Sequence, residues 1–175
     1  MTAVFVGVGS NVEPERHLAH ALDALRRAFP GLIVSSCYRN KAVGFDGEDF
    51  FNLAAGFDTA LTLDEVLTGL HRIEAECGRG RNAAKWAPRS MDLDVLLFGD
   101  LVCQTPSLTL PRPDLLKRAY MLGPLAEIAP DAVHPTEHRT IGILWASFDQ
   151  AAHPLERVAL PSRQRTPVRR QKLKC

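Results

Sequence analysis

Apolar and polar residues alternate along this chain with two periods, one of strands and one of helices. Ala3 to Val8 is a short apolar run ending in Gly9-Ser10-Asn11, which predicts a strand closed by a tight turn. From Glu15 to Arg27, Leu18, Ala21, Leu22 and Leu25 fall at helical spacing, with His17, Asp23 and Arg26 elsewhere. Pro14 suits the first turn of that helix, and Pro30-Gly31 ends it. Ile33 to Tyr38 predicts a second strand. The glycines and charges of Asn40 to Asp49 predict a loop, and Phe51 to Phe57 a third strand antiparallel to the second. Thr62-Leu63-Asp64-Glu65 has the form of a capping box, in which threonine and glutamate answer each other's N–H groups. It opens a helix with Val66, Leu67, Leu70 and Ile73 on one face, stopped by Gly78. Arg79 to Pro88 reads as a cationic loop, and Asp92 to Phe98 as a fourth strand before the Gly99-Asp100 turn. Leu101 to Leu108 predicts a further short strand or hairpin arm. Met121 to Ile128 and Ile141 to Phe148 predict two short helices around a proline-punctuated stretch.

The order β-α-β-β-α-β in the first hundred residues is the split βαβ pattern of ferredoxin-like folds. The expected class is therefore α+β, an antiparallel sheet covered by helices in three αβα layers. A length of 175 residues with 46% hydrophobic positions suits one domain able to bury its own core. No apolar run approaches the length of a membrane span, and the N-terminus has no basic region of a signal peptide. Cys37, Cys77, Cys103 and Cys175 form no Cys-x-x-Cys pair, which fits a reducing cytoplasm and argues against a zinc ribbon.

The formal net charge of +1 hides an asymmetry. Arg163, Arg165, Arg169, Arg170, Lys172 and Lys174 crowd residues 161–175, which hold no acid, so the body is mildly acidic. The expected division is a single domain over 1–160 and a basic, disordered tail over 161–175. The body lacks the interleaved basic and aromatic residues of a nucleic-acid domain, so no nucleic-acid partner is expected.

The sharpest chemical signal is Pro88-Arg89-Ser90-Met91-Asp92-Leu93-Asp94. On a strand, Asp92 and Asp94 share one face. Alone, such a pair reads as a solvent-facing edge whose charges oppose aggregation. Here Arg79, Arg81, Lys85 and Arg89 lie just upstream. Carboxylates that hold a divalent cation, beside guanidinium forks, are the ingredients of a polyphosphate site. Gly7-x-Gly9 lacks the third glycine of a dinucleotide fingerprint and is explained by a tight turn. Phe50 and Asn52, two apart, can present a ring and an amide to a flat heterocycle, although taken alone such a pair is more often a core phenylalanine and a turn asparagine. The six histidines make no metal-binding pattern, and no Gly-x-Ser-x-Gly elbow exists.

Together these segments resemble the 6-hydroxymethyl-7,8-dihydropterin pyrophosphokinases of folate biosynthesis. The resemblance runs from Val4 to about Phe148. It is carried by residues 88–99, Gly9-Ser10-Asn11, Phe50-Phe51-Asn52, Gly78-Arg79-x-Arg81 and Arg118-Ala119-Tyr120-Met121-Leu122-x-Pro124-Leu125. It implies transfer of diphosphate from ATP to the pterin hydroxymethyl group with release of AMP, aided by two Mg²⁺ ions. It also implies that Asp92 and Asp94 hold the metal, Asp94 easing the hydroxyl proton away. Arg79 and Arg89 become phosphate clamps, with Arg81 and Trp86 closing over the nucleotide. Phe50 and Tyr120 enclose the pterin, Asn52 reads its edge and Val43 supplies main-chain contacts. His71, Glu74, Arg112 and Arg118 face the nucleotide. Three positions depart from the family pattern: Arg112 replaces a histidine, Asn40-Lys41 a Thr-Pro, and Tyr120 a phenylalanine. The expected partners are the pterin and ATP alone, with neither membrane nor nucleic acid, for a cytoplasmic monomer. A catalytically silent binding module and a nucleic-acid-binding domain are the competing readings; the retained aspartates and arginines oppose the first, and Asp92 and Asp94 on the fourth strand, which would repel a phosphate backbone, oppose the second.

Overall fold

The computed structural model describes residues 1–41, 48–78 and 91–160. The first apolar run becomes β1 (Thr2–Ser10), and Pro14 occupies the first turn of α1 (Pro14–Ala28) as its fixed φ favours. The second strand is broken into β2 (Ile33–Val34) and β3 (Cys37–Asn40). Ser35 sits at the break: its N–H donates to the Ala54 carbonyl, and its Oγ accepts from the Ala54 N–H, both at 2.9 Å. A side chain thus completes the ladder where the backbone steps aside, leaving no buried donor unanswered. The partner strand is β4 (Phe50–Thr59), followed by α2 (Leu63–Glu76), whose reciprocal Thr62–Glu65 capping box is present as the sequence predicts.

The fourth strand is β5 (Asp92–Phe98); β6 (Cys103–Gln104) lies in the stretch expected to give a short strand or hairpin arm, and it pairs with β7 (Thr109–Leu110), just beyond that stretch. A single 3₁₀ turn (Pro113–Leu116), α3 (Ala119–Ile128) and α4 (Ile141–Ala146) follow. The strand β8 (Glu156–Val158) was not expected from the sequence. The main sheet runs β5-β1-β4-β3-β8, with β2 also on β4, and every neighbouring pair is antiparallel. β1, the broken strand β2/β3, β4 and β5 therefore take the spatial order of a split βαβ fold. β8 extends the sheet beyond them.

Two apolar layers hold the sheet. Leu18, Leu22 and Leu25 of α1 and Val66, Leu70 and Ile73 of α2 bury one face against Val4, Val6, Val8, Leu53 and Val95. Leu122 and Leu125 of α3 and Ile141 and Leu144 of α4 bury the other against Ala54, Leu96 and Leu97. Leu93 and Val95 point to the first layer, whereas both Leu96 and Leu97 join the second. The pairing register of β1 and β5 shifts between Phe5 and Val6, a bulge that accounts for the doubled step. Asp92 and Asp94 consequently share the α3 face of the sheet.

Glu127 fastens α3 to the far side of the same sheet. Its carboxylate accepts from the Ser36 N–H (2.9 Å), the Ser36 hydroxyl (2.8 Å) and the Tyr38 hydroxyl (2.9 Å), and Arg157 of β8 lies 3.6 Å away. Burial alone raises its pKa, but these donors and the guanidinium together hold it below the usual 4.5. A depressed carboxylate stabilises the fold above its unfolded pKa, and that stability is lost as pH falls through the folded value. Glu127→Gln should therefore lower Tm at neutral pH by about 2–4 °C, the shift expected for ~1 kcal/mol from a partly exposed charged network. It should also flatten the decline of stability below about pH 4.5 relative to wild type. Thermal melts of both proteins between neutral and acid pH read this directly; parallel acid limbs would show that Glu127 is not the linked group.

Candidate active site

Directly paired residues on antiparallel strands project to the same face. Gly9 of β1 pairs with Asn52 of β4 on one side and with Asp92 of β5 on the other. One step along, Gly7 pairs with Ala54 and Asp94. The row Asn52–Gly9–Asp92 thus puts an amide and a carboxylate on either side of a residue without a side chain. That glycine is required by contact: a Cβ on Gly9 would stand 2.7 Å from Asn52 Oδ1. The Asn52 amide lies over the bare backbone, 8% exposed, and its Nδ2 donates to Asn40 Oδ1 at 2.5 Å. Phe50, two residues earlier and half-buried, shares that face.

Asp92 and Asp94 are both half-buried. Asp94 Oδ1 faces Arg112 Nη1 at 3.3 Å, and Arg112 Nε lies 4.0 Å from Asp114 Oδ2. The Arg112 backbone is fixed at the outer edge of β5 by its N–H, which donates to the Leu96 carbonyl at 2.9 Å. Tyr120, in the first turn of α3, reaches the same neighbourhood. Burial pushes its phenol pKa up; the nearby Arg118 opposes this, Asp114 and Asp94 add to it, and Arg112 opposes it again. The structure therefore brings Asp94, Arg112, Arg118 and Tyr120 into one electrostatic cluster, with Asp92 one strand step away.

Glu74 takes a different place. It is 5% exposed, and its Oε1 accepts from the Leu93 N–H at 2.9 Å, answering a donor of the edge strand between the two aspartates. His71 is exposed on α2, the helix that packs on the opposite face of the sheet. Val43, Arg79, Arg81, Trp86 and Arg89 lie outside the described residues.

A cavity of about 660 Å³ opens beside this cluster, with Asn40, Lys41, Arg118 and Tyr120 on one side and His153 and Leu155 on the other. Asp92 and Asp94 are not among its walls, and Tyr120 and Arg118 are shared by the cavity and the cluster around Asp94. Sequence reasoning missed the wall from His153 to Glu156, because a three-residue strand and its lead-in carry no periodic signal. The Arg39–Glu156 ion pair at 2.7 Å holds this segment against β3.

Whether the site suits magnesium can be judged from its donors. Among the described residues no three His, Cys, Asp or Glu side chains gather as a closed metal site. Two carboxylates on one face, open to further oxygen ligands, match the preference of Mg²⁺ for one or two carboxylates completed by phosphate and water. Asn11, 5% exposed at the same end of β1, has an Oδ1 without a hydrogen-bond partner among the described residues, a further polar atom available there. The residues fit.

Comparison with known proteins identifies the family. The model of the 7,8-dihydro-6-hydroxymethylpterin-pyrophosphokinase (HPPK) family matches residues 5–130. A 2-amino-4-hydroxy-6-hydroxymethyldihydropteridine pyrophosphokinase of Aquifex aeolicus is 36% identical over 137 residues, covering 77% of this chain and 85% of that protein. One of Pseudomonas aeruginosa is 40% identical over 132 residues, covering 73% and 81%. Among solved structures, a Plasmodium falciparum HPPK-DHPS has a TM-score of 0.61 at 14% identity, a likeness of fold. That likeness covers 83% of this chain but only 43% of the other, so the chain spans less than half of the solved protein. By the extent of the family match and by its curated relatives, the chain belongs to the 7,8-dihydro-6-hydroxymethylpterin-pyrophosphokinase family.

Proposed function

We propose that this chain transfers the terminal diphosphate of ATP to the hydroxymethyl group of 6-hydroxymethyl-7,8-dihydropterin, releasing AMP, as a step of folate biosynthesis. The observation that carries this reading is the row Asn52–Gly9–Asp92, which sets an amide two strands from a carboxylate across a residue without a side chain. Phe50 and Tyr120 enclose the pterin ring, and Asn52, its amide oriented by Asn40, reads the ring edge. The hydroxymethyl oxygen attacks the β-phosphorus and AMP departs. Asp94 is the carboxylate placed to draw the hydroxyl proton away. Asp92 and Asp94 are the residues that would hold magnesium, which supplies neutralising charge on the triphosphate when bound.

Arg112 and Arg118 contribute positive charge to the phosphates. Arg79 and Arg89 act as further clamps, with Arg81, Trp86, His71 and Glu74 on the nucleotide and Val43 against the pterin. These roles rest on the family pattern. Little covalent chemistry is asked of the protein in phosphoryl transfer, so alignment and charge account for most of its contribution. The enzyme works in the cytoplasm as a monomer of one 1–160 domain, with residues 161–175 outside the catalytic machinery. In support, no helix among the described residues is long and apolar enough to cross a membrane, and Cys37, Cys77 and Cys103 are free thiols.

Asp92→Asn and Asp94→Asn should each lower AMP release by about 100-fold or more, the scale seen when one charge-stabilising group is lost. Undiminished magnesium-dependent turnover in either variant contradicts the metal assignment. Gly9→Ala places a Cβ 2.7 Å from Asn52 Oδ1 and so displaces the amide. It should raise the KM for pterin up to about tenfold, the worth of one or two hydrogen bonds, with kcat changed much less. An unaltered pterin KM in a folded Gly9→Ala protein removes Asn52 from the binding site. Deleting residues 162–175 should leave kcat and both KM values near those of the full chain, and a large loss of turnover would bring the tail into the site.

A further inference from the structure

Resting on the reading that Asp92 and Asp94 hold magnesium, we propose that Arg112 is a built-in counter-ion that occupies Asp94 until a divalent cation displaces it onto Asp114. The guanidinium stands between two carboxylates, 3.3 Å from Asp94 and 4.0 Å from Asp114. Its backbone does not need to move for it to favour one or the other. The Arg112 N–H is held by the Leu96 carbonyl at 2.9 Å, and its own carbonyl accepts from the Leu115 N–H at 3.0 Å. Only the side chain swings.

Partial exposure makes the exchange feasible. Arg112 and Asp94 keep 32% and 31% of their side-chain surface in water, and Asp114 keeps 45%. A fully buried pair would be locked by the cost of stranding one charge, whereas a partly solvated pair separates cheaply. In the ligand-free chain Arg112 offsets the charge of Asp94 beside Asp92. An arriving dication must share Asp94 with the guanidinium against like-charge repulsion, or drive it to Asp114. Bare metal is therefore held weakly. Once a triphosphate is present, its oxygens give the guanidinium a further anionic partner, so metal and nucleotide favour each other's binding. Arg112 thus sets the order in which charge is assembled, a positioning role exerted through Asp94.

The test is Mn²⁺ binding to the nucleotide-free, full-length protein, followed by the loss of the free-Mn²⁺ electron paramagnetic resonance signal. Arg112→Gln should tighten Mn²⁺ binding roughly threefold to tenfold, the scale of a partly exposed charge interaction. Arg112→Lys, which keeps the charge, should stay within about twofold of wild type. Asp114→Asn removes the alternative carboxylate and should weaken Mn²⁺ binding. Asp94→Asn should abolish it. If Arg112→Gln binds Mn²⁺ no more tightly than wild type, or Arg112→Lys gains as much as Arg112→Gln, the counter-ion role is overturned. So it is if neither wild type nor Arg112→Gln binds at millimolar Mn²⁺. If Asp94→Asn retains Mn²⁺ binding equal to wild type, the underlying metal assignment is the part that fails.

Discussion

Two like charges two positions apart on one face of an edge strand are the constraint around which the catalytic end of this protein is arranged. With a rise of about 3.3 Å per residue, Asp92 and Asp94 stand ~6.6 Å apart along β5. Their repulsion is roughly 0.6 kcal/mol in bulk water and ~2.5 kcal/mol at an effective dielectric of 20. That is small enough for the fold to bear and large enough to favour a cation. The chain meets the demand with Arg112 in the ligand-free state, and the strand's outer edge is occupied by Glu74 and the Arg112 backbone. Two groups of that edge, the Leu93 N–H and the Leu96 carbonyl, are thus answered from within the chain rather than left to pair with another sheet.

Glycine makes the second half of the arrangement possible. Between Asn52 and Asp92 any side chain on β1 would intrude, and Asn52 Oδ1 lies too close to leave room even for a methyl group. The bare backbone at Gly9 and Gly7 forms the floor between a surface suited to a flat heterocycle and a surface suited to metal and phosphate. Tyr120 connects these to the adjoining cavity, its phenol held neutral by burial while it feels Asp94 and Arg112. Transfer between two substrates needs such closeness, because alignment rather than a covalent intermediate provides the rate.

Much of this was legible in the sequence. The split βαβ order followed from periodicity, the capping box announced α2, and Asp92 and Asp94 on one face followed from strand geometry. Gly9 reads locally as a turn glycine; its place between Asn52 and Asp92 depends on the register of β1 with β4 and β5, which no local pattern encodes. The Ser35 break in the second strand was hidden because its compensating bond comes from a residue far along the chain. β8 and the cavity wall before it escaped notice for the same reason: their place is set by β3 and by the Arg39–Glu156 pair. Arg112 was visible as a departure from the family, but its pairing with Asp94 is a tertiary fact.

The central claim is one of proximity: pterin and metal occupy adjacent positions across a glycine floor. Neighbouring strands lie about 4.8 Å apart, so a pterin at Asn52 and a cation at Asp92 and Asp94 should sit within ~10 Å of each other. The direct measurement is paramagnetic relaxation of the ¹³C-labelled hydroxymethyl carbon of bound pterin, with Mn²⁺ and a non-hydrolysable ATP analogue on the full-length protein. The account predicts strong relaxation at that carbon, lost in Asp94→Asn. Pterin that binds normally yet relaxes no faster with Mn²⁺ present would contradict it.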